Sequence, residues 1–369
     1  MPNGTDNKKA IIVIAILAIL FVALIVWAFA FFRNVELPSL ELPSFGRDPV
    51  EDTGYTREEL SASAGLGGVL WSTDRWIEAA YVRDDRVYVA TVGFGFGEPD
   101  QIVIERLSLD GTVSPMFSVP REREGSFRTI GFSVADTGHF RFLIQHEPWG
   151  EDADIYTFYV KYDETGQRVF YRELTEFGNL AMWDEDDDRP TIWNALFADT
   201  GEVVIHVNVW GDNERTVLAI LDQGGEMRGV LDTEMGDIAR LRDGRIVFSG
   251  WFDDAYFYEI DVSAGDWGEA LTDPSEWGDI HRITPSHAPF DLYFSTVYAG
   301  DWILFGYDMA RGEAAPLLNW NALWESMGHG ISRRDTLFLS DGRIVLHNWS
   351  SEGNRNREEL VFFTPYEFE

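Results

Sequence analysis

The feature that most constrains this chain is a short turn motif that recurs at a regular distance. Residues 341–346 read DGRIVL and residues 243–248 read DGRIVF, while looser copies begin at Asp84, Asp136 and Asp199. An Asp-Gly pair directly before a β-branched, apolar run is a strong hairpin signal, because glycine adopts the positive φ of a tight turn at little cost. Self-similarity at intervals of roughly 45–60 residues indicates a repeat architecture built from one supersecondary unit.

A second turn type alternates with the first. It consists of an apolar residue, an aspartate and a glycine a few residues later, and its copies begin at Leu109, Tyr162, Leu221, Ile260 and Tyr307. Two hairpin turns in each repeat imply four strands, and four-stranded sheets repeated around an axis make a β-propeller. We therefore predict an all-β fold, a six-bladed β-propeller. Seven blades are the alternative, if residues 181–197 contain further strands.

The repeats divide the chain into six predicted blades, with only short strands and turns expected beyond residue 67. Their approximate bounds are 73–121, 125–175, 190–233, 235–273, 278–320 and 328–365. The last unit provides three strands, and the apolar residues 67–71 can supply the fourth. Pairing this N-terminal segment with the last blade would close the ring and remove the exposed edges of an open sheet.

Four segments are predicted along the chain, of which the propeller is the last. Residues 1–9 precede an uninterrupted apolar run, residues 10–32, which is long enough to cross a ~30 Å hydrocarbon core as one helix. Residues 33–66 contain two Leu-Pro-Ser copies and a capping-box pattern, which predict a proline-containing stalk and a short helix. Residues 67–369 form the predicted propeller.

The charges around the apolar run predict its orientation. Lys8 and Lys9 precede it and Arg33 follows it, so the positive-inside rule places residues 1–9 in the cytoplasm and the propeller outside the cell membrane. We interpret the run as the uncleaved signal anchor of a single-pass membrane protein. A cleaved signal peptide is the alternative, since residues 28–30 read AFA, although the run exceeds the usual apolar length of about 7–15 residues.

The charge of the chain excludes two classes of partner. The sequence has 63 acidic and 29 basic residues, a formal net charge of −34 and no cysteine. Nucleic-acid recognition needs a basic face, and attraction to an anionic lipid surface needs clustered basic residues, so we expect neither. Without cysteine the chain forms no disulfide and performs no thiolate chemistry.

The two turn motifs together resemble those of TolB-like and WD-repeat-like propellers of exported bacterial proteins. The stretch LLNW at residues 317–320, followed by SDGRIV at 340–345, is also similar to the propeller region that precedes the solute-binding domain in some Gram-positive sugar-uptake lipoproteins. The resemblance covers most of residues 70–369 and implies a propeller outside the cell. This chain departs from the lipoproteins in having no lipobox cysteine.

The loops between the second and third strands of the predicted blades share an aromatic and acidic composition. In a propeller these loops lie on the same face as the connections between blades. Indole rings stack on sugars or pack against cations, and tryptophan anchors dominate many interfaces. The alternative is that each tryptophan fills the gap between two blades and each acid is solvated. The predicted ligand-binding residues are Trp149, Asp152, Trp210, Asp212, Trp251, Asp253, Asp254, Asp301, Trp302 and Trp349.

An acidic connection between the second and third predicted blades invites a metal-site interpretation. Asp184, Asp186 and Asp188 alternate at a spacing that suits an oxygen-liking cation such as Ca²⁺. Arg189 stands where an EF-hand has glycine and Ala195 where it has the bidentate glutamate, so the loop is no EF-hand. A loose calcium loop and a solvated acidic loop are the two alternatives. We expect no other cofactor.

We interpret the chain as a membrane-anchored, extracytoplasmic binding module or scaffold for a protein or glycan partner, beside a transporter or envelope complex. The alternative is an anchored carbohydrate-active hydrolase that uses two carboxylates of the acidic face. The chain contains no G-x-S-x-G, no H-E-x-x-H and no phosphate-binding loop ending in lysine. Its histidines lack metal-ligand spacing, and we expect them to be hydrogen-bonded strand residues: His139, His146, His206, His281, His287, His329 and His347.

Overall fold

Six four-stranded antiparallel sheets form the structure, a computed structural model. It describes residues 66–93, 101–120, 125–147, 156–174, 189–210, 215–233, 236–250, 257–271, 282–284, 290–298, 300–327, 330–352 and 355–365, all within one compact unit, Asp48–Glu369. The first strands of most neighbouring sheets contact one another, including those of the first and last sheets along the chain, which arranges the sheets as a ring around a central channel. The prediction of an all-β, six-bladed propeller is confirmed.

Blades 1 to 3 each consist of four consecutive strands, which follow one another from the innermost to the outermost. Blade 1 contains β2 (Trp76–Arg83), β3 (Arg86–Val92), β4 (Gln101–Leu107) and β5 (Val113–Pro120). Blade 2 contains β6 (Ser126–Val134), β7 (Phe140–Glu147), β8 (Tyr156–Tyr162) and β9 (Arg168–Glu173). Blade 3 contains β10 (Arg189–Phe197), β11 (Val203–Trp210), β12 (Arg215–Leu221) and β13 (Met227–Thr233).

Blades 4 and 5 follow the same order, and blade 6 combines the two ends of the repeat region. Blade 4 contains β14 (Gly236–Arg240), β15 (Ile246–Gly250), β16 (Phe257–Asp261) and β17 (Asp266–Leu271). Blade 5 contains β18 (Arg282–Thr284), β19 (Leu292–Tyr298), β20 (Asp301–Asp308) and β21 (Glu313–Asn319). Blade 6 contains β22 (Gly330–Phe338), β23 (Ile344–Glu352), β24 (Arg355–Phe363) and, outermost, β1 (Leu66–Thr73).

The ring is closed by the N-terminal strand, as the sequence predicted. Strand β1 pairs antiparallel with β24, and Nη2 of Arg357 donates to Oγ of Ser72 at 3.0 Å. Between the last blade and the first, the backbone N–H of Ser340 in blade 6 donates to Oδ1 of Asp85 in blade 1 at 2.9 Å. Blade 6 therefore has no missing strand, and hydrogen bonds connect it to blade 1.

The repeated Asp-Gly-Arg motif is a folding element. Gly342 has a φ of +83°, and the carboxylate of Asp341 accepts hydrogen bonds from the backbone N–H of Arg343 at 3.0 Å and from its Nε at 2.8 Å. Hydrogen bonding to Arg343 lowers the pKa of Asp341. Blade 1 makes the same connection with Asp84 and Asp85, at φ 49° and 53°, because aspartate tolerates the left-handed region better than most residues.

The core lies between the faces of neighbouring blades. In β3, Val87 and Val89 pack with residues of blade 6, whereas Tyr88 and Ala90 pack with residues of blade 2. Successive side chains of a strand point to opposite faces, so both sets are buried. Both faces of an inner sheet are covered, which explains why the second strands read as continuous apolar runs.

Among the described residues, one helix interrupts the succession of strands, and the expectation of only strands and turns was wrong at this point. Helix α1 (Trp320–Met327) connects blade 5 to blade 6. Oδ1 of Asn319 accepts the backbone N–H of Ala322 at 3.0 Å, the usual cap of a helix N-terminus. The indole of Trp320 is 1% exposed and its Nε1 donates to Oγ of Ser295 at 3.1 Å, which fixes the helix on blade 5.

The described part of the chain contains no helix with the length and apolarity needed to span a membrane. The predicted membrane helix at residues 10–32 and most of the predicted stalk at 33–66 lie outside the described residues.

Candidate functional site

The two ends of the ring carry different connections. At the loop end, the second strand of each blade joins the third and consecutive blades are connected; Gly300 and helix α1 lie there. At the turn end lie the Asp-Gly turns, such as the one at Gly342. The predicted ligand-binding residues that the structure describes belong to the loop end.

The structure describes part of the predicted set. Trp210 is the last residue of β11, Asp301 and Trp302 begin β20, and Trp349 lies near the end of β23; the side chain of Trp210 is outside the description. These positions share the loop end across blades 3, 5 and 6. Outside the described residues lie Trp149, Asp152, Asp212, Trp251, Asp253, Asp254 and the predicted calcium ligands Asp184, Asp186 and Asp188.

Asp301 is held by other residues of the protein. It is 9% exposed, and its carboxylate accepts hydrogen bonds from Nδ2 of Asn319 at 3.2 Å and Nδ2 of Asn321 at 3.3 Å. Oδ1 of Asn321 accepts the backbone N–H of Trp302 at 3.4 Å, and the Trp302 side chain packs partly buried against the core between blades 5 and 6. Asp301 and Trp302 thus connect the hairpin of blade 5 to helix α1.

Two tryptophans at the loop end are open to solvent. Trp349 in β23 is 47% exposed, and Trp76, the first residue of β2, is 46% exposed. They belong to blades 6 and 1, which pack against each other through a shared core. Sequence reasoning missed Trp76 because it considered the loops between second and third strands, whereas Trp76 lies on an innermost strand.

A buried ionisable pair lies beneath Trp349. His347 and Trp349 are two apart in β23 and therefore point to the same face, and Trp349 is directly opposite Glu358 in β24. Nε2 of His347 contacts Oε2 of Glu358, and the two residues are 6% and 1% exposed. This contact confirms for His347 the expectation of a hydrogen-bonded strand histidine.

His206 departs from that expectation. It is 1% exposed, and neither ring nitrogen has a hydrogen-bond partner among the described residues. Its ring lies 6.0 Å from that of Trp193 and 6.1 Å from that of Phe248 in the next blade. Burial lowers the pKa of His206 to about 4, because an apolar surrounding disfavours the charged imidazolium.

The innermost strands are connected to each other at the loop end by hydrogen bonds. Glu78 occupies a bulge of β2, and its carboxylate accepts the backbone N–H of Thr129 in β6 at 2.9 Å. Nη2 of Arg128 donates to the carbonyl oxygen of Ile192 in β10 at 2.7 Å. Bulges redirect side chains near functional sites in many sheets, and in this ring they aim polar groups from one blade to the next.

At the turn end, a polar group of residues closes the channel. Nη1 of Arg240 in blade 4 lies 2.6 Å from Oδ1 of Asp199 and 3.4 Å from Oη of Tyr81 in blade 1. The neighbouring Arg141 is 3% exposed and donates to Oγ of Ser133 at 2.9 Å. Burial lowers the pKa of Arg141. Blades 1 and 4 are opposite each other in a six-membered ring, so these contacts cross the channel.

The described part of the chain contains no group of three histidine, aspartate or glutamate residues that could hold a metal ion. The calcium prediction concerns the connection at residues 184–188, outside the described residues.

Comparison with known proteins identifies structures of similar architecture. No protein-family model and no curated protein matches the chain. Among solved structures, the allergen Mala s 1 of Malassezia sympodialis is 12% identical in sequence, with a TM-score of 0.47. The match covers 78% of this chain and 92% of the allergen chain. An α-L-arabinanase of Penicillium chrysogenum complexed with arabinobiose has 10% identity, a TM-score of 0.46 and coverage of 81% and 98%.

TolB of Acinetobacter baumannii is a third similar structure, with 13% identity, a TM-score of 0.43 and coverage of 75% of this chain and 63% of its own. The resemblance to TolB-like propellers is confirmed at the level of the fold, and the six four-stranded blades themselves establish it.

Proposed function

We propose that this protein is a membrane-anchored, extracytoplasmic binding module that recognises a protein or glycan partner at the loop end of its propeller. The observation that carries the proposal is the solvent exposure of Trp349, 47%, at that end of blade 6, with Trp76 at 46% on the adjoining blade 1. Tryptophan is enriched at binding interfaces, where a partner covers its large amphipathic ring.

The chemistry of the loop end supports recognition of sugars or cations. An indole offers a large apolar face and one hydrogen-bond donor, which suits stacking on a sugar ring or contact with a cationic group. The sequences of the surrounding loops add carboxylates, as at residues 95–100 and 349–352. Tryptophans near the centre of an interface commonly contribute most of its binding free energy.

The contacts of Asp301 favour a binding module over the alternative, an anchored hydrolase. Glycoside hydrolysis requires two carboxylates, one of them free to donate or accept a proton at the sugar. Asp301 is the predicted loop-end carboxylate that the structure describes, and it is 9% exposed and engaged by Asn319 and Asn321. Its position suits a structural role.

Anchoring is the part of the proposal that rests on sequence. The apolar run at residues 10–32 has the length of a membrane helix, and Lys8 and Lys9 on its N-terminal side favour a cytoplasmic N-terminus. We expect protease added to intact cells to degrade the propeller and leave residues 1–9 intact. Protection of the propeller in intact cells would contradict the proposed orientation.

The binding proposal is tested with Trp349→Ala in the full-length chain, screened against an oligosaccharide array and a set of cationic peptides. We expect at least about tenfold weaker binding to the partner that the wild-type chain selects. Tyr171→Ala is the matched control, since Tyr171 is 39% exposed but lies on the outermost strand of blade 2. Equal losses in both variants, or no loss in Trp349→Ala, would overturn the proposal; turnover of a bound glycan would support the hydrolase.

A further inference from the structure

The innermost strands reverse the charge balance of the chain. The protein as a whole carries a formal net charge of −34, yet each of the six innermost strands contains at least one arginine. Basic residues outnumber acidic ones on these strands, whose backbones surround the channel. The arginines are Arg83, Arg128, Arg189, Arg240, Arg282, Arg333 and Arg334, and the acids are Glu78, Asp237 and Asp335.

The arginines at the turn end are neutralised by aspartates. Nη2 of Arg83 lies 3.1 Å from Oδ1 of Asp136, and Nη1 of Arg240 lies 2.6 Å from Oδ1 of Asp199. Both aspartates belong to the turns that follow the innermost strands of the neighbouring blades. Each of these two guanidinium groups therefore has a carboxylate partner at the turn end.

Arg128 at the loop end is in a different situation. Its side chain is exposed, and its observed contact is the hydrogen bond from Nη2 to the carbonyl oxygen of Ile192. No described carboxylate forms an ion pair with it. The acid on the adjacent innermost strand, Glu78, already accepts the backbone N–H of Thr129. The remaining N–H groups of the Arg128 guanidinium are therefore available to an anion from solvent.

An exposed indole occupies the equivalent position on the neighbouring blade. Trp76 lies two residues before Glu78, the bulged residue of β2, and Arg128 lies two residues before Ile130, the bulged residue of β6. The two side chains therefore belong to the same layer of adjacent innermost strands, at the mouth of the channel. We propose that this mouth binds a small sugar acid, with Arg128 holding its carboxylate and Trp76 stacking on its ring.

The chemistry of each group defines this ligand class. A guanidinium presents a planar set of donors that matches the two oxygens of a carboxylate. An indole packs on the apolar face of a sugar ring. The formal net charge of −34 repels polyanions, whereas a ligand with one negative charge is repelled far less. The predicted ligand is thus a single uronic acid residue or a chain end that carries one.

The test measures binding of glucuronate to the purified full-length chain in detergent by calorimetry, with glucose and acetate as comparison ligands. We expect glucuronate to bind at least about tenfold more tightly than either, because glucose lacks the charge and acetate lacks the ring. Arg128→Gln should weaken glucuronate binding by a similar factor, and Arg128→Lys by less. Arg311→Gln at the turn end, where Arg311 is highly exposed, is the charge-matched control.

Three results would overturn the inference: no glucuronate binding by the wild-type chain, equal affinities for glucuronate and glucose, or equal weakening in Arg128→Gln and Arg311→Gln. A thermal unfolding scan of each variant shows whether a loss of binding reflects a loss of folded protein. Sugar-acid binding at the mouth is a different property from recognition of a protein or glycan partner, and the two proposals can fail separately. Partner recognition is tested by Trp349→Ala, and sugar-acid binding is tested by Arg128→Gln.

Discussion

Tyr81 and Arg240, 159 residues apart in the sequence, meet across the central channel, where Nη1 of Arg240 donates to Oη of Tyr81 at 3.4 Å. The same nitrogen pairs with Asp199 at 2.6 Å, and Arg240 is 15% exposed. Three blades thus meet at one guanidinium. This contact spans the channel at its turn end.

Arg240→Gln should destabilise the propeller by about 1–2 kcal/mol, because it removes a partly buried ion pair and the contact with Tyr81. Tyr81→Phe removes the hydroxyl that accepts from Arg240 at 3.4 Å, and we expect a loss of less than about 0.5 kcal/mol. Urea unfolding of both variants measures the free energies. A larger loss in Tyr81→Phe than in Arg240→Gln would show that the ion pair is not the stabilising contact.

His206 should make the stability of the propeller depend on pH. The pKa of this histidine falls from 6.5 to about 4 on folding, so below pH 6.5 the unfolded chain binds the proton more readily than the folded one. The free energy of unfolding is therefore unaffected by this histidine above about pH 6.5 and decreases as the pH falls towards 4. The decrease is at most about 3 kcal/mol. Urea unfolding between pH 7.5 and pH 4.5 measures this loss.

His206→Leu is the control for that pH dependence. Leucine fills a similar volume and does not titrate, so the variant should lose less stability than the wild type between pH 7.5 and pH 4.5. At pH 7.5 it should be as stable as the wild type or more stable, because His206 leaves two buried nitrogens without hydrogen bonds in the described structure. An identical pH slope in both proteins would assign the dependence to other groups.

The pair formed by His347 and Glu358 should be costly to break on one side only. Removing either partner leaves the other buried without its contact, and we expect His347→Leu or Glu358→Leu to cost about 3–5 kcal/mol. The double replacement removes both polar groups and should cost clearly less than either single one. A double-mutant cycle in urea measures the coupling. Additive losses would mean that the two residues stabilise the blade independently.

Gly229 should tolerate no side chain, although a sequence gives no sign of it. A Cβ at this position in β13 would lie 1.9 Å from the carbonyl oxygen of Gly265 in the adjacent blade. We expect Gly229→Ala to cost at least about 2 kcal/mol, since the obstacle is backbone. Gly250→Ala is the control, because its Cβ would meet Phe248 at an ordinary 3.6 Å. Similar melting temperatures for the two variants would contradict this account.

Much of the fold was predictable because its signals are local. The positive φ of Gly342 and the hydrogen bonds between Asp341 and Arg343 involve adjacent residues, so the turn motif identifies the hairpins and their period identifies the blades. The missing fourth strand of the last repeat predicted the closing role of β1 in the same way. Helix α1 was missed because its cap and its anchor, Asn319 and Trp320, resemble the end of a strand in an isolated sequence.

The site depended on contacts between distant segments. His206 and His347 are each the fourth residue of a second strand, and the sequence predicted the same environment for both. The structure places Glu358 beside one and the rings of Trp193 and Phe248 beside the other. Side chains from other repeats form the surroundings of a residue that lies between two blades. Those side chains vary independently of the turn motif.

Local sequence signals therefore predicted four-stranded blades and the closure of the ring, because turn conformation and strand alternation depend on neighbouring residues, and they left six and seven blades as alternatives that the structure resolves to six. Contacts between distant segments of the folded ring set which arginines have a carboxylate partner and which face solvent. Arg240 and Arg128 are both arginines of innermost strands, but one meets Asp199 and Tyr81 across the channel and the other reaches a carbonyl oxygen at its mouth. The physical reason is that the ring brings together strands that are far apart along the chain.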